Sequence, residues 1–478
     1  MISDLRLNYL LFALFSFFVG CNSLDLSKVD RQKNVEYNPD SPYFYMTGYY
    51  ELYANKKPQL IITGEIIYSS LNFKTTDDGF TSNLKTSFVI RDTKNDSVLI
   101  NETNSLSILV NSLEETKSEQ TVSLNKSYNV DHSEYEVSFS VTDSISSKSS
   151  SYDFIIDVPL NSENALIIGD IQIQQKIKND VDSGFKVLSN KNLQNNNDSL
   201  KFKYQIINNI ESTPVDITGR IIRFESDTSI AESMNSLKPL TPLEVKGIDY
   251  SSFEEVYTFT RRLNSSGYLD YEFKIPNLSS GNYRFEVSIV PSAESDLVES
   301  SINAYKGIEF GVRSSNFPSL ITSTEKLSSL QYLMTKNEFE DLSRITDSSV
   351  LDESLIDFWD RKIDNRTIST IIMELYYSRV KEANKRYTNF KEGWKTDLGM
   401  VYILFGDPKR IQKNVNTITW IYTDNLVDSE RIYTFQTPKQ KNRFYPFDNY
   451  ILNRSDLYFN IQYRQIQKWL NALIPITN

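Results

Sequence analysis

The chain has 478 residues, a formal net charge of −11, one histidine and one cysteine. With a single cysteine no internal disulfide can form, and His132, alone and beside Asp131, supplies neither a zinc site nor a Ser-His-Asp or Cys-His catalytic set. Up to Leu320 there are 29 basic and 42 acidic residues, and from Ile321 onward 22 and 20, a balance that argues against nucleic acid as partner because phosphate binding needs concentrated Lys and Arg.

Leu10 to Val19 is a short apolar run preceded by Arg6, well under the ~20 residues that span a bilayer. It ends at Phe18-Val19-Gly20-Cys21, a small residue directly before the lone cysteine. This resembles a bacterial lipoprotein signal, which implies that residues 1–20 are a signal peptide and that Cys21 is the lipidated first residue of the mature chain. Phe18 stands where Leu is usual, and Asp4 offsets Arg6; an ordinary signal peptide or membrane anchor with an incidental cysteine is the alternative. Asn22 follows, with no acidic cluster behind it. The expected location is the cell envelope, at the outer membrane and facing the periplasm. Residues 21–42 read as a linker whose polar end is Asn38-Pro39-Asp40-Ser41-Pro42.

Residues 43–160 read as short strands between Asn, Ser and Asp. Leu60 to Tyr68, Ser87 to Arg91, Val98 to Ile100 and Leu106 to Val110 come first. Tyr135 to Val141 alternates with period two, so Tyr135, Val137, Phe139 and Val141 share one face, and Phe154 to Val158 closes the unit. Residues 165–313 repeat the style. Leu166 to Gln174, Phe202 to Ile207 and Ile217 to Phe224 precede a hairpin pair, Phe253 to Thr260 with Tyr268 to Ile275, around Asn264-Ser265-Ser266-Gly267. Gly281 to Val290 and Ile308 to Val312 end it. Regular strands with turn signals between them predict two antiparallel, immunoglobulin-like β-sandwich modules. The Asn-rich stretch Asn190 to Asn197 is a polar loop.

Residues 321–478 turn helical and predict an α+β domain. Ser323 or Thr324 caps a helix with Leu327, Leu330 and Met334. Thr335 and Glu338 form a capping box. Leu351, Leu355, Phe358 and Trp359 mark a third helix. Thr367 caps the longest, with Ile368, Ile371, Ile372, Leu375, Tyr376, Val380, Ala383 and Tyr387 at helical spacing. Strands are expected at Val401 to Phe405, Thr417 to Tyr422 and Ile432 to Phe435, then a helix from Leu457 to Leu473.

Between them stands Gly393-Trp394-Lys395-Thr396-Asp397-Leu398-Gly399, followed by Tyr402 and by Gly406-Asp407-Pro408. This resembles the signature of the GWxTD domain family, whose activity is not established. Phe358-Trp359 with Arg361, Asp364 and Thr367, and Glu374, Tyr376, Arg379 and Ala383, are similar to further family positions, so the resemblance runs from about Glu325 to Trp469. Leu398 and Met400 stand where the family often has Arg, and Asp407-Pro408 replaces Pro-Pro.

No phosphate-binding or dinucleotide glycine motif occurs, so no nucleotide, cofactor or metal is expected. The remaining candidate chemistry is a set of carboxylates with an arginine: Asp360, Glu374, Arg379 and Asp397. Two carboxylates beside an Arg serve general acid/base work or cation binding; alternatively Arg379 pairs with Asp397 and the set braces the Thr396 to Gly399 turn. Trp394 and Trp420 offer an aromatic platform or pack into the core. Gly393, Gly399 and Gly406 read as backbone positions of close approach or positive φ. Lys439 to Arg443 is a small basic loop. The expected function is binding or scaffolding of an envelope partner, more readily than catalysis; the alternative is an envelope hydrolase using Asp397 and Glu374, and a calcium-dependent carbohydrate role for the sandwiches is a third.

Overall fold

The computed structural model describes residues 26–31, 35, 41–162, 165–176, 185–195, 200–210, 213–264, 266–274, 278–292, 304–423, 431–438 and 449–475. The signal segment, Cys21 and the basic loop at 439–443 lie outside these residues. The chain is mostly β, in several sheets, with a helical region toward the C-terminus. Among the described residues no helix is long and apolar enough to cross a membrane.

After a short strand, β1 (Val29–Asp30), the first unit holds β2 (Phe44–Tyr53), β3 (Lys56–Ile67), β4 (Lys74–Thr76), β5 (Gly79–Asp92), β6 (Ser97–Val110), β7 (Thr121–Asn129), β8 (Glu134–Asp143) and β9 (Ser149–Asp157). They form two antiparallel sheets, β2-β3-β7 and β4-β5-β8-β9 with β6 on β5. The alternation in β8 puts Tyr135, Val137, Phe139 and Val141 at no more than 1% exposure. Phe139 meets Phe44 of the other sheet edge to face, centroids 4.9 Å apart, so both sheets feed one apolar cluster. Val98–Ile100 and Leu106–Val110, expected as two strands, are one continuous strand, β6. The sequence reading lacked β2 and β7, whose apolar positions are diluted by Tyr, Ser, Lys and Asn.

The second unit comprises β10 (Leu166–Ile168), β11 (Gln172–Lys176), β12 (Phe185–Val187), β13 (Asn192–Gln194), β14 (Leu200–Asn208), β15 (Val215–Ser226), β16 (Ile248–Leu263), β17 (Gly267–Lys274), β18 (Gly281–Pro291) and β19 (Ala304–Arg313). One sheet runs β1-β19-β18-β15-β16 with β13 on β19; the other runs β10-β14-β11-β12 with β17 on β14. The expected hairpin of β16 and β17 is corrected: β16 pairs with β15, and β17 with β14 in the other sheet. The loop carries the chain across the core, and Gly267 enters β17 at φ 125°. Turn chemistry alone does not separate such a corner from a hairpin. Leu166–Gln174 is likewise two strands. Residues assigned to a linker join the body: Val29 and Asp30 pair in parallel with Gly307 and Ile308, Arg31 bonds Glu309, and Val35 is buried in the first unit's core.

The C-terminal region has helices α1 (Ser323–Ser329), α2 (Lys336–Ser343), α3 (Ser348–Lys362), α4 (Arg366–Tyr387), α5 (Asp397–Phe405) and α6 (Tyr458–Leu470), and a sheet β20 (Arg410–Lys413), β21 (Thr417–Ile421), β22 (Ile432–Gln436), β23 (Ile451–Leu452) in that order. The Thr335–Glu338 capping box is present, and a second, Thr322 with Glu325, starts α1 in place of Ser323 or Thr324. Asn365, not Thr367, caps α4 through the Ile368 amide.

The largest correction concerns Val401–Phe405, expected as a strand. It is the body of α5. Met400 through Leu404 are all buried, so the helix is apolar all round and shows no 3.6-residue stripe; such a run cannot be told from a buried strand by periodicity. The core around it also takes in Met234 from the second unit, fully buried.

Candidate functional site

Each residue of the Gly393 to Gly399 signature meets a specific packing or bonding demand. A Cβ on Gly393 would lie 1.9 Å from the Ala383 carbonyl of α4, and one on Gly399 1.9 Å from the Gly393 carbonyl. Only glycine lets α4, the turn and α5 approach this closely. Trp394 is buried against Tyr332, whose hydroxyl donates to the Trp394 carbonyl at 2.7 Å. Its indole N–H donates to Glu392 at 2.9 Å, and its amide to Asn384 Oδ1 at 3.1 Å. Thr396 caps α5: Oγ1 accepts from the Gly399 amide at 3.0 Å and donates to the Gly393 carbonyl at 2.7 Å.

Asp397 occupies the first turn of α5, where a carboxylate suits the helix dipole. Its Oδ2 accepts from the Leu452 amide at 2.7 Å and from Arg454 Nη1 at 2.9 Å, and its Oδ1 from Arg454 Nη2 at 2.7 Å. Both side chains are only 10% exposed. The expected Asp397–Arg379 pair is therefore corrected; the partner is Arg454.

Arg379 instead works at the other end of α5. Its Nη1 donates to the Ile403 carbonyl at 3.2 Å, and its guanidinium lies 5.0 Å from the Trp469 ring centroid. Burial holds its pKa below the usual arginine range, against the opposing fields of Tyr402, Tyr422 and Asp407. A cation on the last carbonyls of a helix satisfies groups left without intrahelical donors. Gly406 ends α5 at φ 81°, where a Cβ would stand 3.2 Å from the Arg379 guanidinium. Asp407 pairs with Arg386, which covers the Tyr402 ring at 4.6 Å; Pro408 follows.

Glu374 is exposed on α4, and Asp360 makes a loose 3.8 Å pair with Arg366 at the surface. The four candidate residues are thus not one constellation. Among the described residues no group of three His, Cys, Asp or Glu is placed to hold a metal ion. His132 is half-buried, its Nδ1 2.6 Å from the Pro159 carbonyl. Trp394 and Trp420 are each 2% exposed.

The concave feature borders the signature, and Thr396, Leu398, Asp407 and Pro408 line part of it. A cleft of about 960 Å³ opens where the three parts of the chain meet. Tyr45 and Glu119 come from the first unit, Asn282 and Arg313 from the second, Lys385 and Trp420 from the C-terminal region. Glu374, Arg379 and Asp397 do not line it. Across it, Glu119 bonds Lys385 at 2.6 Å and Lys381 at 3.3 Å. Burial alone would raise the Glu119 carboxyl, but the two ammonium groups outweigh it and leave it below 4.5. Its partner Lys385, which burial would lower, is held above 10.5 by Glu382 and Glu119.

The profile of the GWxTD domain matches residues 296–471. The chain carries a GWxTD domain. The match opens ahead of the helices and takes in β19, so the GWxTD domain overlaps the last strand of the second unit's larger sheet. No curated protein matches the sequence. Solved structures similar to the chain include a red sea bream transglutaminase, at 8% identity and a TM-score of 0.17 over 57% of this chain and 31% of that one. Native alpha-2-macroglobulin of Escherichia coli is similar at 12% identity and a TM-score of 0.16, over 58% and 16% of the two chains. The trypsin-activated form is similar at 10% and 0.18, over 59% and 17%. The chain spans less than a third of the length of each, and likeness at this level says nothing of activity.

Sequence reasoning missed Arg454 and Arg313. Arg454 follows a two-residue strand in a stretch with no motif. Arg313 has a faint signal: in β19, Ile308, Phe310 and Val312 alternate with Gly307, Glu309, Gly311 and Arg313, so the polar set shares the other face. That face reads as solvated, yet Glu309 and Arg313 are buried.

Proposed function

We propose that the protein is a binding or scaffolding component of the bacterial cell envelope, tethered through a lipid on Cys21 at the periplasmic face of the outer membrane. Its partner, an envelope protein, sits in the cleft where the GWxTD domain meets the two sheet units. The observation that carries this reading is the placement of that cleft: three parts of the chain converge on it, and the signature borders it through Thr396, Leu398, Asp407 and Pro408, while Gly393, Trp394, Asp397 and Gly399 are engaged in holding α5. A concave site of this size at a junction of domains is the usual place for a ligand.

A carboxylate whose oxygens already accept from a guanidinium and a backbone amide is poorly placed to relay protons, so Asp397 gives the hydrolase alternative little support. We read each pair of sheets as an immunoglobulin-like sandwich, supported by the single apolar core that each pair shares. Such modules suit spacing and docking, although fold alone does not establish a role.

The test is site-specific photo-cross-linking in intact cells. A photoreactive residue at Ile411, exposed and lining the cleft, is expected to give a discrete adduct, and one at Glu374 none. Palmitate labelling is expected to disappear with Cys21→Ala. Absence of any adduct at position 411 sinks the cleft reading, and label retained without Cys21 sinks the tether.

A further inference from the structure

Arg313 is a buried guanidinium that pairs with no carboxylate among the described residues. Its side chain is 4% exposed. Nε donates to Asn192 Oδ1 at 3.0 Å, and Nη2 to Asn282 Oδ1 at 3.2 Å and to the Asn389 carbonyl at 2.8 Å. Every acceptor is a neutral amide. Among the described residues Nη1 makes no hydrogen bond, and no carboxylate pairs with the group. Glu392, whose field reaches it, gives its oxygen to Trp394 and Lys395. Burial drops the Arg313 pKa to about 10, the direction expected when a cation is desolvated without a counter-charge. Buried charges are ordinarily paired.

The placement of Arg313 matters as much as its isolation. It lines the junction cleft and also a second opening of about 460 Å³ beside Arg223 and Phe390. Four other cations around it each have a carboxylate against them. Arg31 meets Glu309 at 3.0 Å, Lys191 meets Asp30 at 2.7 Å, Lys385 meets Glu119, and Arg386 meets Asp407. Arg313 differs from these four in facing only neutral acceptors, so an anionic group entering the cleft meets in it a guanidinium with no carboxylate already against it among the described residues. A planar guanidinium is also the best match for a carboxylate.

We propose that Arg313 is the recognition residue of the junction cleft and receives a single carboxylate, borne by an acidic side chain or chain end of the peptide partner. This rests on the cleft reading above and adds the chemistry of its ligand. Phe224, Phe317 and Tyr387 also line the cleft and suit an apolar body behind that carboxylate.

The test uses the mature chain and three probes, with the change in total tryptophan fluorescence as the readout, Trp420 being the tryptophan on the cleft wall. Benzoate is expected to bind at least tenfold more tightly than its neutral counterpart benzamide, and inorganic phosphate not to compete. Arg313→Gln is expected to abolish the benzoate preference and Arg313→Lys to retain part of it; Lys336→Gln, exposed on α2 and outside both openings, leaves it unchanged. Should Arg313→Gln fail to fold, the benzoate-to-benzamide ratio in the unaltered chain decides. Equal binding of the two overturns the carboxylate while leaving an apolar cleft site. Phosphate competing as well as benzoate overturns the choice of a carboxylate. Binding of neither overturns the proposal, and cross-linking at Ile411 then decides separately whether the cleft binds a partner at all.

Discussion

The Asp397 carboxylate and the Arg454 guanidinium face each other through two hydrogen bonds, 2.7 and 2.9 Å long. Arg454 also donates from Nε to the Ser233 carbonyl and from Nη2 to the Glu232 carbonyl, both at 3.1 Å. The last acidic residue of the signature thus does two things. It seats the first turn of α5, and through Arg454 it holds the loop that delivers Met234 from the second unit into the core of the GWxTD domain.

The two signature glycines are points of backbone contact. Gly393→Ala and Gly399→Ala each place a methyl group 1.9 Å from a carbonyl oxygen, which no side-chain adjustment can relieve. Each substitution is expected to destabilise by about 3 kcal/mol or more, at the upper end for overpacking, as measured by urea unfolding.

Thr396 acts through its hydroxyl. Thr396→Val keeps the shape but removes the acceptor for the Gly399 amide, and is expected to cost about 1 kcal/mol, the usual value of a lost helix cap. Thr396→Ser is expected to recover most of that in thermal unfolding.

Glu374 is exposed on α4. Glu374→Gln is expected to change stability by less than about 0.5 kcal/mol, as surface substitutions do, and to leave the Ile411 cross-link in cells intact. A lost adduct with an unchanged melting curve would assign Glu374 a part in function that its position does not suggest.

The bridge from the first unit to α4 sets a pH window. Glu119 is lowered below 4.5, so its contribution is complete above that value and is lost as pH falls through the folded pKa; Lys385 is raised above 10.5, so its contribution is complete below that value and is lost as pH rises through its folded pKa. Unfolding across pH 3 to 6 is expected to show a stability loss on acidification that is smaller in Glu119→Gln than in the unaltered chain.

Period-two alternation in β8 and the capping box at Thr335 were legible because a single local rule governs each. The helical state of α5 was not, since burial on every side erases the stripe that distinguishes a helix from a strand. Nor was the partner of Asp397: Arg454 lies far along the chain, and only the tertiary fold brings its guanidinium to the start of α5. The same holds for the cleft. Glu119, Arg313 and Lys385 come from three parts of the chain, and each alone reads as a surface charge.

A double-mutant cycle of Asp397→Ala and Arg454→Ala in urea unfolding tests most directly whether the signature is a brace. Breaking a buried pair from either side is expected to cost about 3 to 5 kcal/mol, with the double variant little worse than either single one and a coupling of about 2 kcal/mol or more. Single variants that keep full stability, or two effects that simply add, would contradict the account.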